Sequence, residues 1–450
     1  MNNLQRLNPL KRLKNLIAAS ASALMLSLSQ PVLAQLDIQT WQTQEGAKVL
    51  FVATPELPMM DIELLFDAGS ARDGAQPGLA NFTGNMIGLA TSQRNEQAIA
   101  DGFNDLGAVF NSNVNRDMTR FSLRSLTREP LLTAALDLFT EVIADAEFPA
   151  DIMQRDRVRL LQAMQQADEV AGQYARKVFW QRLYQDHPYG QDVAGDSEVI
   201  EQLTPMDLDA FYRQYYVAQN AQISIVGDLS QSQAKAIAQA ISERLASGVK
   251  ATAIPTPEPV TPGLEVVEFT ANQTQYFAGQ LGVERGHPDY YALFLGNHLL
   301  GGSGFASLLV EEVREKRGLV YSVFSFFAPM REAGPWMIGL STANNQAQEA
   351  DQVVKETLLG FLEDFDDAKF ADIKQNLLGG WPMRFDTNDK ILGYLTMIGF
   401  YDLPLDYLEA FPAAIEALEK ADVLAAWRQH IHPDNLFTLM VGQPVLDATP

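Results

Sequence analysis

Cysteine is absent from all 450 residues, which excludes thiol nucleophiles, disulfides and cysteine-ligated zinc. Histidine is scarce as well. The five are His187, His287, His298, His430 and His432; none falls in a zinc-helix motif, and no substitute ligand set stands out. Positive charge is in deficit, with 33 Lys and Arg against 56 Asp and Glu and a net charge of −23. A surface that acidic repels phosphate backbones and anionic headgroups, which argues against nucleic acid or lipid as the main partner. Beyond the first 34 residues no apolar run approaches the roughly 20 residues a spanning helix needs. A soluble mature protein without a membrane span is therefore expected.

Residues 1–34 read as a signal peptide. Arg6, Lys11, Arg12 and Lys14 form a basic leader, an apolar run follows from Leu16 to Leu28, and Val32 and Ala34 suit the −3 and −1 cleavage sites before Gln35. The competing readings are an uncleaved anchor or a buried helix. Removing the leader's four positive charges takes the net charge from −23 to −27. Export without cysteine fits a bacterial periplasm.

The remaining chain is too long for one ordinary core. From Ser247 to Gly263 it runs SGVKATAIPTPEPVTPG, with four prolines, a density that stiffens an extended connection and cannot build a helix. This linker (247–263) divides a first lobe, 35–246, from a second, 264–450. The lobes resemble each other. Asp207, Arg213, Gln214, Asn220 and Gly227 recur as Asp422, Arg428, Gln429, Asn435 and Gly442, each 215 residues on without a gap. Both copies read as a helix (207–216, 422–431), a turn, then a buried strand ending in glycine. This is the signature of a duplicated domain.

Within each lobe the pattern is α+β. Val49–Ala53, Ile62–Ala68 and Met118–Leu123 have strand patterning, and their counterparts are taken as Gln275–Leu281, Tyr321–Phe327 and Trp336–Ser341. Helical periodicity marks Gly78–Leu89, Leu132–Ile143, Ile152–Glu169 and Tyr174–Tyr184, then Tyr290–Leu300, Phe305–Lys316 and Asp351–Phe361. The helix after Gly301-Gly302-Ser303-Gly304 is expected to carry Phe305, Leu308, Leu309 and Val313 on one face and to stop at Gly318. No Lys-Ser/Thr follows those glycines, so they are not a phosphate loop. His430 and His432 close the repeated helix where the first lobe has Tyr215 and Val217, which points to surface or packing use. His187 reads as part of a turn and His298 as a structural histidine.

The segment Gly78-Leu79-Ala80-Asn81-Phe82-Thr83-Gly84-Asn85-Met86 is similar to the stretch that carries H-x-x-E-H in pitrilysin/insulinase metallopeptidases, the inverted zinc motif. In that motif two histidines one turn apart hold the metal and the glutamate is the general base. Here the positions read Asn81, Gly84 and Asn85. The third ligand of the family falls 77 residues after the second histidine, on Gln162. Amides are poor zinc ligands and glycine cannot take a proton, so the resemblance implies a degenerate metal site and no cofactor in this chain.

A second segment, Glu312-Val313-Arg314-Glu315-Lys316-Arg317-Gly318-Leu319-Val320-Tyr321, resembles the family's R-x6-Y pair, matched by Arg314 and Tyr321. In the resembling enzymes this pair stabilises the oxyanion at the zinc site of the opposite lobe. On residues alone, 311–317 reads equally as a solvated helix face with pairs such as Glu312–Lys316. Leu106–Asn111 resembles the family's peptide-pairing strand. The resemblance implies two homologous lobes, each a mostly antiparallel sheet packed with helices in a clam-shell, LuxS/metallohydrolase-like arrangement. It further implies an Arg/Tyr chain that acts on peptides only beside an exported paralogue holding the zinc, or else a non-enzymatic scaffold or peptide-binding protein of that fold.

Overall fold

The strand-forming runs collect into two sheets. The computed structural model describes residues 36–447; the leader and Gln35 lie outside the described residues. The first sheet is built from β1 (Gln39–Gln42), β2 (Lys48–Ala53), β3 (Met59–Phe66), β4 (Val109–Val114), β5 (Thr119–Leu126) and β6 (Ala221–Gly227), in the order β1-β2-β6-β3-β5-β4. The second takes β7 (Gly263–Glu268), β8 (Gln273–Leu281), β9 (Val320–Phe327), β10 (Pro335–Ala343) and β11 (Phe437–Gly442), ordered β7-β11-β8-β10-β9. Each has one parallel pair, β2 with β6 and β7 with β11, and is otherwise antiparallel.

Apart from β1 the two orders are the same: first strand, fifth, second, fourth, third. The duplication read from the sequence is therefore a duplication of topology. It corrects the strand correspondence inferred above. The counterparts of β2, β3, β4 and β5 are β7, β8, β9 and β10, so Gln275–Leu281 answers to Ile62–Ala68, not to Val49–Ala53. The polar, half-exposed β4 and β7 lack the apolar run that made the others visible.

The helices are α1 (Leu79–Met86), α2 (Glu96–Asp105), α3 (Leu131–Ala144), α4 (Ala150–Asp168), α5 (Ala171–Tyr184), α6 (Ser197–Gln202), α7 (Pro205–Tyr215) and α8 (Gln231–Arg244). After the second lobe's first strands come α9 (Tyr290–Asn297), α10 (Ala347–Glu363), α11 (Asp367–Gly380), α12 (Asn388–Phe400), α13 (Tyr407–Ala417) and α14 (Lys420–His430). The repeated helices α7 and α14 span equivalent residues 215 apart, and each starts in a capping box, Thr204 with Asp207 and Glu419 with Asp422. Reciprocal capping satisfies donors that a helix start otherwise leaves open, which explains why the boundary survives in both copies. No helix among the described residues is long and apolar enough to cross a membrane.

Each half lends a helix to the other's sheet. From the first half, α5 lays Ala175, Val178, Phe179 and Leu183 against Phe277, Phe437, Leu439 and Val441 of the second sheet. From the second half, α12 covers the outer face of the first: Thr396 Oγ1 donates to Glu63 at 2.5 Å, and Lys48 Nζ reaches the Gly399 carbonyl at 2.7 Å. With α12 on one face and the main core on the other, β6 is buried along its whole length, which suits its apolar sequence. The segment 247–262 has no regular structure. It is pinned to the first half by Arg72 to the Thr252 carbonyl, 2.6 Å, and by the Ala251 N–H to Asn220, 3.0 Å.

Candidate functional site

Helix α1 carries Asn81, Gly84 and Asn85, the residues that the sequence resemblance sets at the positions of the inverted zinc motif. Its first turn is closed by Asp73, whose two carboxylate oxygens accept from the Gly78 and Ala80 N–H groups at 2.7 Å each. Burial pushes this carboxyl up to about 7, against the pull of those two donors. Asn85 Nδ2 donates to Asn81 Oδ1 at 2.9 Å, so the two amides satisfy each other across one helical turn. Gly84 is buried. A Cβ there would lie 2.6 Å from Val114 Cγ2 and 3.2 Å from Thr119 Cγ2, because the missing side chain lets α1 rest directly on β4 and β5. Gly84, the position that the resemblance assigns to the general base, is a packing contact.

Gln162 lies exposed on α4. One and two turns earlier on that helix, Arg159 and Arg155 border a cavity of about 370 Å³ together with Phe82, Asn85, Met86 and Glu96. Arg155 pairs with Glu96 at 2.5 Å and Asp156 at 2.8 Å, and Arg159 with Asp156 at 2.9 Å. Two guanidinium groups thus consume the two carboxylates that line this cavity, Glu96 and Asp156. A divalent cation entering here would meet amides and positive charge, so these residues do not fit zinc. Gly84→Glu is expected to destabilise the chain by about 1–3 kcal/mol through overpacking. Asn85→His, at an exposed position, should stay within about 0.5 kcal/mol of the parent. Urea denaturation of both variants measures the difference, and equal midpoints would remove the packing argument.

In the second half, Leu309 and Val313 are fully buried and anchor a helical segment that is wide-turned over Val310–Glu315. Gly318, at φ +64°, reverses the chain, its N–H bonded to the Arg314 carbonyl at 2.8 Å. A positive φ there favours glycine. The reversal delivers Tyr321 to the second position of β9, the edge strand of its sheet. The Arg314 guanidinium carbon then lies 5.2 Å from the Tyr321 ring centroid and 4.6 Å from that of Phe305. Tyr321 is 84% exposed.

Phe305 corrects the helical reading above. It is 74% exposed rather than facing inward with Leu309 and Val313. A short turn over Gly304–Ala306, with Gly304 at φ +60°, precedes the helix and swings it outward. The surrounding carboxylates serve other cations. Glu311 is held at about 2 by Lys369 and Lys316, and Glu312 binds Lys316 at 2.6 Å and Arg317 at 2.7 Å. Arg314 keeps one ion pair among the described residues, to the half-exposed Glu315 at 3.3 Å. Its charge is therefore available beside an exposed phenol. On the edge of the other sheet, β4 begins at Val109, three residues later than the peptide-pairing segment expected from Leu106.

The structure also gathers histidines that the sequence left scattered. His287, Asp289 and His430 place ligand atoms within 4.8 Å of one another. Only the fold brings them together, since Asp289 and His430 are 141 residues apart and no motif spacing links them. His187 caps the turn Pro188–Gly190, and His298 stacks on Phe294 at 6.0 Å.

A duplicated two-sheet fold, a helix stripped of its metal ligands and an exposed Arg/Tyr pair define a metallopeptidase-like chain without the metal residues. Comparison with known proteins narrows the class. Residues 48–197 match the insulinase (peptidase family M16) profile, and 202–377 the peptidase M16 inactive domain profile. A peptidase M16 inactive domain from Pseudomonas fluorescens is 39% identical, with a TM-score of 0.89 over 92% of this chain and all of that one. A protease from Helicobacter pylori shares the fold, at 19% identity and TM-score 0.83 over 90% of this chain and 99% of that one. The uncharacterized zinc protease YmxG of Bacillus subtilis is 24% identical over 79% of this chain and 86% of its own length. The chain belongs to the insulinase (M16) peptidase family.

Proposed function

We propose that this chain is the non-zinc subunit of a periplasmic heterodimeric metallopeptidase. In this reading Arg314 and Tyr321 face the zinc site of an exported paralogue. The observation that carries it is the pairing of an exposed tyrosine with a guanidinium held by one surface carboxylate alone among the described residues, in a chain whose own motif has been filled by packing and arginines. A residue pair kept only for stability would be buried or mutually bonded, whereas Tyr321 projects into solvent from a sheet edge. A phenol hydroxyl and a guanidinium can both donate to a carbonyl oxygen that gains negative charge during attack. They cannot generate the nucleophile, so the reading requires a second chain that does. Peptide is the substrate class that the family and the two exposed sheet edges support.

The test is co-purification with a secreted paralogue carrying H-x-x-E-H, followed by peptidase assays of each chain and of the pair. Activity that is chelator-sensitive and needs both chains is the expected result. Full activity of the pair with both Arg314→Ala and Tyr321→Phe would sink the donor role. A stable pair with no activity would favour the scaffold reading.

A further inference from the structure

We propose that His287, Asp289 and His430 bind one divalent transition-metal ion of the zinc class, in the half of the chain that does not carry the degenerate motif. His430 Nε2 lies 2.8 Å from Asp289 Oδ2, and the two imidazole rings meet edge to face with centroids 4.9 Å apart. All three residues are half-buried, so a bound ion would be partly withdrawn from water yet reachable. Two imidazoles and one carboxylate form a donor set that suits zinc, nickel, copper or cobalt better than the hard ions calcium and magnesium. A fourth position would be left to water.

In the absence of metal, the Asp289–His430 contact joins the start of α9 to the end of α14. Asp289 stands at the N-cap of α9, but its carboxylate makes no capping hydrogen bond and turns to His430 instead. Aspartate at that position ordinarily caps, so its usual stabilising role is forgone. His430 closes α14, where the carbonyl end of a helix attracts positive charge. Behind it, Gln280 of β8 grips the chain on both sides of Ile431: its Nε2 donates to the His430 carbonyl at 2.8 Å and its Oε1 accepts from the His432 N–H at 3.0 Å. The two helices are locked by Trp427 Nε1 to the Leu293 carbonyl at 3.2 Å. Outer contacts of this kind orient metal ligands.

The adjustment needed is small. Ligand atoms around a zinc ion with bonds of about 2.0–2.1 Å sit roughly 3.3 Å apart, and those here lie within 4.8 Å of one another, so no pair must close by more than about 1.5 Å. His287 Nδ1 accepts the Asp289 N–H at 3.1 Å. To bind, the ring gives up that bond in either case: it ligates through Nδ1, or it takes its proton on Nδ1, turns away from the Asp289 N–H and ligates through Nε2. The ion would join the start of α9 to the end of α14, the repeated helix.

The experiment titrates the full chain, stripped with chelator, with zinc by calorimetry and with cobalt by its visible absorption. One equivalent per chain is expected, with the cobalt spectrum of a four- or five-coordinate nitrogen and oxygen site, and with a rise in Tm on adding zinc. His287→Ala and His430→Gln should each weaken binding by about 100-fold or more, above the loss an outer contact brings. His432→Ala and Asn85→Ala should leave it unchanged, which separates this site from the degenerate motif. Melting of each metal-free variant checks folding, so lost binding by a variant with parental apo Tm supports the site. No saturable uptake, or uptake indifferent to both histidine substitutions, overturns it. Neither outcome bears on the Arg314 and Tyr321 reading, which is scored by peptidase activity of the pair.

Discussion

Asp117→Ala is expected to destabilise the chain by about 3–5 kcal/mol, the scale for breaking a buried charged network by removing one partner. Asp117 is 5% exposed and follows β4 in the first half, yet most of its partners come from elsewhere. Tyr189 donates its hydroxyl to one carboxylate oxygen. Tyr401 donates to the other at 2.7 Å, and the Arg331 N–H at 3.1 Å. Arg331 also bonds the Phe400 carbonyl at 2.8 Å and lies 3.8 Å from Asp67, which Arg72 holds at 2.7 Å.

Alanine would strand three donors from two halves of the chain, each costing about 1–3 kcal/mol when left unsatisfied. Tyr401→Phe removes one donor and should cost about 1 kcal/mol. Because Arg331 and Tyr401 belong to the second half, the loss should lower the urea midpoint of both sheets together. Tryptophan fluorescence and far-UV circular dichroism should then report one coincident transition. Two separated transitions in the parent chain, or a change below 1 kcal/mol in Asp117→Ala, would contradict an interlocked pair of sheets.

That interlock is the part of the fold least visible in the residues. Local signals were legible: the glycine that ends the Arg314 segment and the apolar runs of β2, β3, β6 and β8. The 215-residue register was legible too, because the motif Asp, Arg-Gln, Asn, Gly is preserved around a helix, a turn and a buried strand. What the chain does not announce is which sheet a helix covers. The apolar face of α5 fits either sheet by periodicity, and only the fold sends Phe179 to Phe277 and Phe437. The same holds for α12 on the first sheet.

The candidate sites divide along the same line. Asn81, Gly84 and Asn85 lie within one helix and are picked out by that segment's resemblance to the family's zinc motif. That Gly84 has become a contact with Val114 could not be read there, since β4 is a polar strand with no apolar pattern. Arg314 and Tyr321 are seven residues apart across a glycine turn, a separation that local geometry handles well. His287 and Asp289 share one turn, but His430 reaches them through tertiary packing alone.

The second large effect concerns Tyr321 in the reconstituted pair. If the phenol donates to the developing oxyanion, Tyr321→Phe should lower kcat by about 10²–10³-fold, the usual loss for one preorganised donor. KM should change little, because a donor used only in the transition state does not hold the ground state. Arg314 differs. Its guanidinium carries charge and sits against the rings of Tyr321 and Phe305, so Arg314→Ala should raise KM as well as lower kcat. Arg314→Lys should recover part of the KM effect through charge, and less of kcat, since an ammonium lacks the planar fork.

If the two residues act on one oxygen, the double variant should lose less than the product of the single losses. Neither substitution should weaken assembly on its own account; Tyr321 is solvent-exposed and its removal of one hydroxyl leaves the strand intact. Gel filtration of the Tyr321→Phe pair separates this from a docking role. A pair that falls apart when the hydroxyl is lost, with activity restored at high concentration, would make Tyr321 an interface residue instead. An intact pair with kcat within twofold of the parent would show that the oxyanion is held by other groups.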